Sequence, residues 1–186
     1  KYVHLRSSIN DPYSLSDNSI YSLCKDREGG IWIGSYFGGI NYYPRFYTNF
    51  EKYYPKGIEN GLHGKRVREF CQDNQGILWI GTEDGGLNRF NPKTKTFSFF
   101  TPSNAFTNVH GLCLVDDNLW VGTFSKGVKV VDTRTGAIVK TYQKTDSPRS
   151  LIDNSVFSIC RTTTGDIYLG TLFGLLRYNR QSDDFD

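Results

Sequence analysis

Methionine is absent from the 186 residues, no apolar run is long enough to cross a membrane, and charge of neither sign dominates. Lys and Arg number 22 against 19 Asp and Glu, a formal net charge of +3, and no Lys/Arg run tracks a phosphate backbone. That balance argues against nucleic acid as a partner. The chain opens at Lys1. With the missing Met, this predicts a segment of a longer protein, whose absent signals say nothing about compartment. Catalytic signatures are lacking too: there is no nucleophile elbow, no phosphate loop and no H-E-x-x-H. His4, His63 and His110 stand at unrelated positions of the repeat described below. Glu83 and Asp84 are adjacent on a turn and point apart, unlike the facing acid pair of glycoside hydrolysis. The chain therefore reads as non-catalytic, with no cofactor. Neither C-x-x-C nor a dense D-x-D-x-D run occurs, so no metal site is expected.

What is present is aromatic and repetitive. Tyr, Phe and Trp make up 15% of the chain and Gly occurs 19 times, a composition that favours strands and turns over helices. One pentapeptide appears four times: Ile31-Trp32-Ile33-Gly34-Ser35, Leu78-Trp79-Ile80-Gly81-Thr82, Leu119-Trp120-Val121-Gly122-Thr123 and Ile167-Tyr168-Leu169-Gly170-Thr171. Its glycines are 47, 41 and 48 residues apart, a repeat period. Each copy reads as a short buried strand with a Gly where backbone approaches something closely.

The four cysteines obey the same register. Cys24, Cys71, Cys113 and Cys160 fall nine or ten residues before the repeat glycines, so they are one position seen four times. Equivalent positions on stacked sheets lie about 10 Å apart, beyond the roughly 7 Å Cα reach of a disulfide. They are expected as free, buried, small hydrophobes.

Four strand-like pieces, A to D, recur in each repeat. In repeat two they cover 67–72, 77–82, 87–90 and 96–100, with Asp73-Asn74-Gln75-Gly76 as the A–B turn. Repeat one runs 20–26, 30–35, 39–43 and 47–53; repeat three runs 109–115, 118–123, 127–132 and 137–142. Repeat four, 156–186, has three strands and the first residues of a fourth. Residues 1–6 read as the lone outer strand of a preceding blade. The connector Ser14-Leu15-Ser16-Asp17-Asn18-Ser19 recurs as Ser150-Leu151-Ile152-Asp153-Asn154-Ser155. Four short antiparallel strands at this period make one blade of an all-β propeller, and 1–186 reads as one partial propeller domain with whole blades at 20–53, 67–100 and 109–142. Three closures are open: a larger ring, a small four-bladed ring, or two chains sharing eight blades. The blade sequences favour the first. Alone, the bare end faces predict a homodimer. Trp32, Trp79, Trp120 and Tyr168 are expected to fill the gaps between blades, and Asp26, Asp73 and Asp116 to close the A–B turns.

These residues resemble the two-component regulator propeller repeat. The likeness is carried by the run from Val67 through Asp73-Asn74-Gln75-Gly76-Ile77-Leu78-Trp79-Ile80-Gly81-Thr82-Glu83-Asp84-Gly85-Gly86-Leu87 to Phe97, and by the 14–19 connector. It is looser in repeat three, which has Ser125-Lys126-Gly127 for the Gly-Gly. The resemblance implies the extracytoplasmic, periplasmic sensor region of a membrane-spanning histidine kinase, often hybrid. In such proteins two seven-bladed propellers and a small β-sandwich recognise oligosaccharides and switch on glycan-use genes. The implied partners are an oligosaccharide, the remaining blades and the sandwich. A repeat specifies a scaffold, not a ligand.

In a propeller the B–C and D–A loops share the usual ligand face. On it Tyr36, Phe37, Phe124 and Phe173 are candidates to stack on sugar rings, and Glu83, Asp84 and Lys126 to bond hydroxyls or a uronate. The long D–A loop, 54–65, adds His63, with Arg66 and Arg68 close behind. Two other readings stand beside this one: a plain protein-interaction scaffold, and a quinone-cofactor dehydrogenase propeller, which 119–136 also resembles. The latter locks its blades with a Trp on strand D, whereas Trp lies on strand B here.

Overall fold

The computed structural model describes residues 2–11, 13–45, 53, 55, 60–99 and 103–186, and divides into two compact units, 1–52 and 53–186. The unbroken repeat predicted one domain. The division has a physical basis in the core: among the described residues of the first unit only Ile33 is a buried apolar side chain, whereas the second unit holds three apolar clusters.

The first unit contains β1 (Ile20–Lys25), β2 (Ile31–Ser35) and β3 (Ile40–Tyr43), an antiparallel sheet in that order. The fourth strand expected at 47–53 lies outside the described residues, apart from Tyr53. Residues 2–6, read from sequence as the outer strand of a preceding blade, form no ladder among the described residues. His4, Leu5 and Arg6 instead line a groove with Tyr42 and Tyr43 of β3, and Ser7 makes one isolated bridge to Leu15. A strand forms where a partner takes up its N–H and C=O groups.

The second unit holds three four-stranded antiparallel sheets. They are β4 (Val67–Gln72), β5 (Leu78–Thr82), β6 (Gly86–Asn91) and β7 (Thr96–Phe99); β8 (Val109–Val115), β9 (Asn118–Thr123), β10 (Val128–Asp132) and β11 (Ile138–Tyr142); and β12 (Val156–Arg161), β13 (Ile167–Thr171), β14 (Gly174–Asn179) and β15 (Asp184–Phe185). The A strands β4, β8 and β12 touch in chain order while the outer strands splay apart, the geometry of propeller blades. Phe100, the expected end of β7, lies outside the described residues.

Each letter of the repeated pentapeptide has a structural cause. Trp79 is fully buried with Leu87 against Val109, Leu112, Leu119 and Val121 of the next sheet, and Trp120 against Val156, Ile159, Ile167 and Leu169 of the one after. Burying such a ring stabilises by roughly 2–3 kcal/mol. Trp32 departs from this pattern: it is 44% exposed, tilted against Tyr42 at 4.6 Å, and Tyr168 is half-buried. The glycine makes room for the neighbour. A Cβ on Gly81 would sit 2.5 Å from Val109 Cγ1, and one on Gly122 3.0 Å from Val156 Cγ1. The terminal hydroxyl closes the B–C loop: Ser35, Thr82, Thr123 and Thr171 donate to the carbonyls of Gly39, Gly86, Gly127 and Gly174 at 2.9–3.0 Å.

The cysteines are free, but only Cys113 is buried; Cys71 is half-buried and Cys24 and Cys160 are exposed. A neighbouring sheet covers the first two. Thiol burial pushes Cys71 up to about 11.

Candidate functional site

All four repeats build the same backbone at the end carrying the B–C loops. The residue after the hydroxyl donates its N–H to a carbonyl just before strand A: Tyr36 to Ser19, Glu83 to Arg66, Phe124 to Asn108 and Leu172 to Ser155, at 3.0–3.1 Å. The A–B register then slips at one residue in every copy, at Tyr21, Arg68, His110 and Phe157. A bulge leaves that residue unpaired and re-aims its side chain, a feature concentrated at sheet ends and sites. Each blade thereby presents two neighbouring side chains, one from the bulge and one from the B–C loop. The backbone is constant and the chemistry is not.

In the second unit the pairs are linked across blades. Glu83 bridges Arg68 at 3.0 Å and Arg66 at 3.5 Å. Arg68 Nη2 lies 3.3 Å from His110 Nδ1, and His110 Nε2 lies 2.8 Å from Asn108 Oδ1. His110 is buried beside the edge of Phe157 (5.2 Å between centroids) and near Phe124 (6.0 Å). Desolvation, reinforced by the Arg68 charge and opposed by Glu83, lowers its pKa. The imidazole is therefore neutral near pH 7 and serves as a hydrogen-bonding and stacking group. Phe124 is 45% exposed and Leu172 55%. A row of guanidinium, imidazole and two phenyl rings can bond hydroxyls and stack on apolar ring faces. In the first unit Tyr36 stacks on the bulge residue Tyr21 at 4.9 Å and meets the edge of Phe37 at 4.2 Å.

The residues expected on this face have different fates. Glu83 and Arg66 come together around Arg68, and Phe124 joins His110 and Phe157. Tyr36 and Phe37 form the exposed pair of the first unit, with Phe37 N–H donating to Asp17. Phe173 is exposed beside Leu172. Asp84 serves the loop instead, accepting from Lys65 N at 2.9 Å and Arg66 N at 3.2 Å, and the hydrogen bond from Arg66 chiefly lowers its pKa. His63 faces outward and stacks on Phe99 at 3.9 Å, while its carbonyl accepts from Thr82 and Asn88. Lys126 N–H caps Thr123 Oγ1, and its charge, after burial, lowers the pKa of Lys129. Sequence reasoning missed Tyr21, His110 and Phe157 and gave Arg68 no role. The signal was available: each follows the first residue of strand A, and that position varies in chemistry while the β-branched residue before it, Ile20, Val67, Val109 or Val156, repeats.

Among the described residues no three of His, Cys, Asp and Glu are grouped for a metal ion. The turn opposite this face is equally regular. Asp26 and Asp73 each accept two loop N–H groups and the indole N–H of the strand-B Trp. Both Asp–Trp pairs fall inside the two segments, 14–37 and 61–84, that match the sequence profile of the two component regulator propeller. The likeness to the two component regulator propeller rests on these two segments. Among solved structures, it is similar to the extracellular domain of the hybrid two component system BT4673 from B. thetaiotaomicron, at 25% identity and TM-score 0.61 over 90% of this chain and 21% of that one. The corresponding domain of BT3049 from the same organism shares the fold at 24% identity and TM-score 0.50, over 96% of this chain and 30% of that one. The WD40 β-propeller domain of Doa1 shares it at 16% identity and TM-score 0.50, over 91% and 52%. The chain thus spans about a fifth to a third of the length of the two-component domains it resembles. No curated protein matches it. In this chain the A-strand bulge and the first B–C residue both change in chemistry from blade to blade.

Proposed function

We propose that this chain is a ligand-sensing propeller segment from the extracytoplasmic region of a two-component, hybrid sensor histidine kinase. It detects an oligosaccharide, lies in the periplasm, and belongs to a larger ring, seven-bladed, completed by further blades and a β-sandwich of the receptor. The segment itself is non-catalytic; the kinase lies elsewhere in the parent. One observation carries the reading: the B–C end repeats its backbone in four blades while presenting Tyr21–Tyr36, Arg68–Glu83, His110–Phe124 and Phe157–Leu172. A scaffold held constant under changing side chains is how a surface is fitted to a ligand. The likeness to extracellular domains of hybrid two-component systems supports the sensor role.

The test is a glycan array followed by calorimetry on the native chain and on an Arg68→Ala/Phe124→Ala variant. Saturable oligosaccharide binding lost in the variant supports sensing. Absence of glycan binding, with a protein ligand recovered at the same face, turns the reading to an interaction scaffold. The quinone-dehydrogenase reading is weakened by the placement of Trp32, Trp79 and Trp120 on B strands.

A further inference from the structure

Both clefts between neighbouring blades of the second unit set a cation near the strand-B Trp, Arg89 from strand C in one and Lys140 from strand D in the other. Only the second supplies a carboxylate from the C–D turn. Each opens beside the C–D turn of the following sheet, and the two turns close alike. Gly136 N–H donates to Asp132 O and Asp183 N–H to Asn179 O, both at 2.8 Å, with φ of 75° and 59°. In the cleft between the third and fourth repeats, Asp183 accepts from the hydroxyls of Tyr142 at 2.5 Å and Tyr178 at 2.7 Å and pairs with the ammonium of Lys140. A carboxylate from the turn thus meets a cation of the preceding sheet close to the strand-B Trp120.

The cleft between the second and third repeats has the cation without the carboxylate. Cys71, Trp79, Arg89 and Ser98 stand opposite one another on successive strands. The Arg89 guanidinium lies 5.9 Å from the Trp79 ring centre, and its Nε is buried with no hydrogen-bond partner among the described residues. The place of Asp183 is taken by Gly136. The cavity, about 310 Å³, is lined by Trp79, Arg89, Ser98, Phe99 and residues 133–136, none of them acidic. A buried guanidinium N–H without an acceptor is costly, and a planar carboxylate is the group its fork fits best.

We propose that this cleft binds a carboxylate supplied from outside the described chain, held by Arg89 beside the Trp79 ring with Ser98 and Thr135 hydroxyls at the rim. The site lies at the end opposite the B–C loops and stands independently of the sensing face.

The test uses the native chain, with the three Trp indole N–H resonances as reporters. Sodium acetate, titrated at constant ionic strength against chloride, should move the Trp79 resonance saturably. Trp120, whose cleft already holds Asp183, should stay still. Arg89→Gln should weaken the response at least about tenfold, as expected for loss of a charged hydrogen bond. Since Arg89 lies over a core ring, Gly136→Asp provides a second variant: it installs the missing carboxylate on a turn that tolerates Asp in repeat four, and should abolish the acetate response. Parallel titrations with glucuronate and N-acetyl-aspartate amide then identify a sugar acid or an acidic side chain as the source. A Trp79 resonance indifferent to acetate, or one that responds equally in both variants, overturns the proposal.

Discussion

Trp79 Nε1 donates to Asp73 Oδ2 at 2.8 Å, and the other oxygen of that carboxylate accepts from Gln75 N and Ile77 N. One buried side chain therefore closes the A–B turn and orients the largest ring of the blade interface. Repeat one builds the same device from Asp26 and Trp32, at 3.0 Å. Repeat four has Thr162 and Tyr168 instead, so both members of the pair change together. In repeat three the turn contracts to Asp116-Asp117 with Asp116 at positive φ. Asp73→Asn is expected to cost about 1.5–3 kcal/mol of unfolding free energy, read from urea titration. Asp26→Asn should cost less, because Trp32 is already half in water. Equal losses at the two sites would contradict the coupling.

In repeats two and three the repeat glycine faces the next sheet, whereas Gly34 and Gly170 face Ser22 and Ser158 of their own sheets. A methyl group on Gly81 would lie 2.5 Å from Val109 Cγ1 and 3.1 Å from Val109 Cβ, with β8 held on its other side. Gly81→Ala should therefore destabilise by roughly 1–3 kcal/mol through overpacking. Pairing it with Val109→Ala should recover part of the loss. Additive losses in the double variant would show that the Gly serves some other purpose.

His110 makes stability depend on pH in one direction. Its folded pKa lies below the unfolded value of about 6.5, through burial first and the Arg68 charge second. Between those two values the unfolded chain binds a proton that the folded chain does not, so stability rises with pH there and falls as the solution is acidified. Well above about pH 6.5 both states are neutral at this residue and its contribution is flat. The denaturant midpoint should drop as pH falls through about 6.5, the unfolded value, and drop less in His110→Gln. A variant that loses as much as the native chain would assign the pH response to other groups.

Arg149, in the connector before repeat four, clamps the last strand. Its Nε and Nη2 donate to both oxygens of Asp184 at 2.6 and 2.9 Å, Nη2 also reaches Asp186 at 2.7 Å, and its carbonyl accepts from Phe185 N. Lys cannot reproduce this fork. Arg149→Lys should speed amide exchange at Phe185 and Asp186 while leaving β12 and β13 protected. Unchanged exchange would mean that backbone pairing and burial of Phe185 hold the strand without the clamp.

Much of this architecture was legible because it repeats. The period placed β4 to β15 within a residue or two, and the Trp–Gly–hydroxyl pattern located strand B in every blade. The exposure of Trp32 was not legible, since a mid-strand Trp reads the same whether or not a sheet covers it. Residues 2–6 look like a strand by pattern, yet a strand also needs a partner, which the pattern does not supply. At the site, Glu83 and Phe124 were visible as loop residues. Arg68, His110 and Phe157 were hidden because a bulge turns a strand position outward, and strand alternation assigns such positions to a sheet face. Asp84 has a second role that its loop position does not reveal, since its Oδ1 accepts from two backbone N–H groups.

The measurement that bears most directly on the account is a map of amide and side-chain resonances of the native chain titrated with the oligosaccharide selected by array. Saturable shifts are predicted at Arg68, Glu83, His110, Phe124, Phe157 and Leu172, with the A–B and C–D turns at the other end unmoved. Shifts confined to those turns, or spread without regard to the bulge positions, would contradict it.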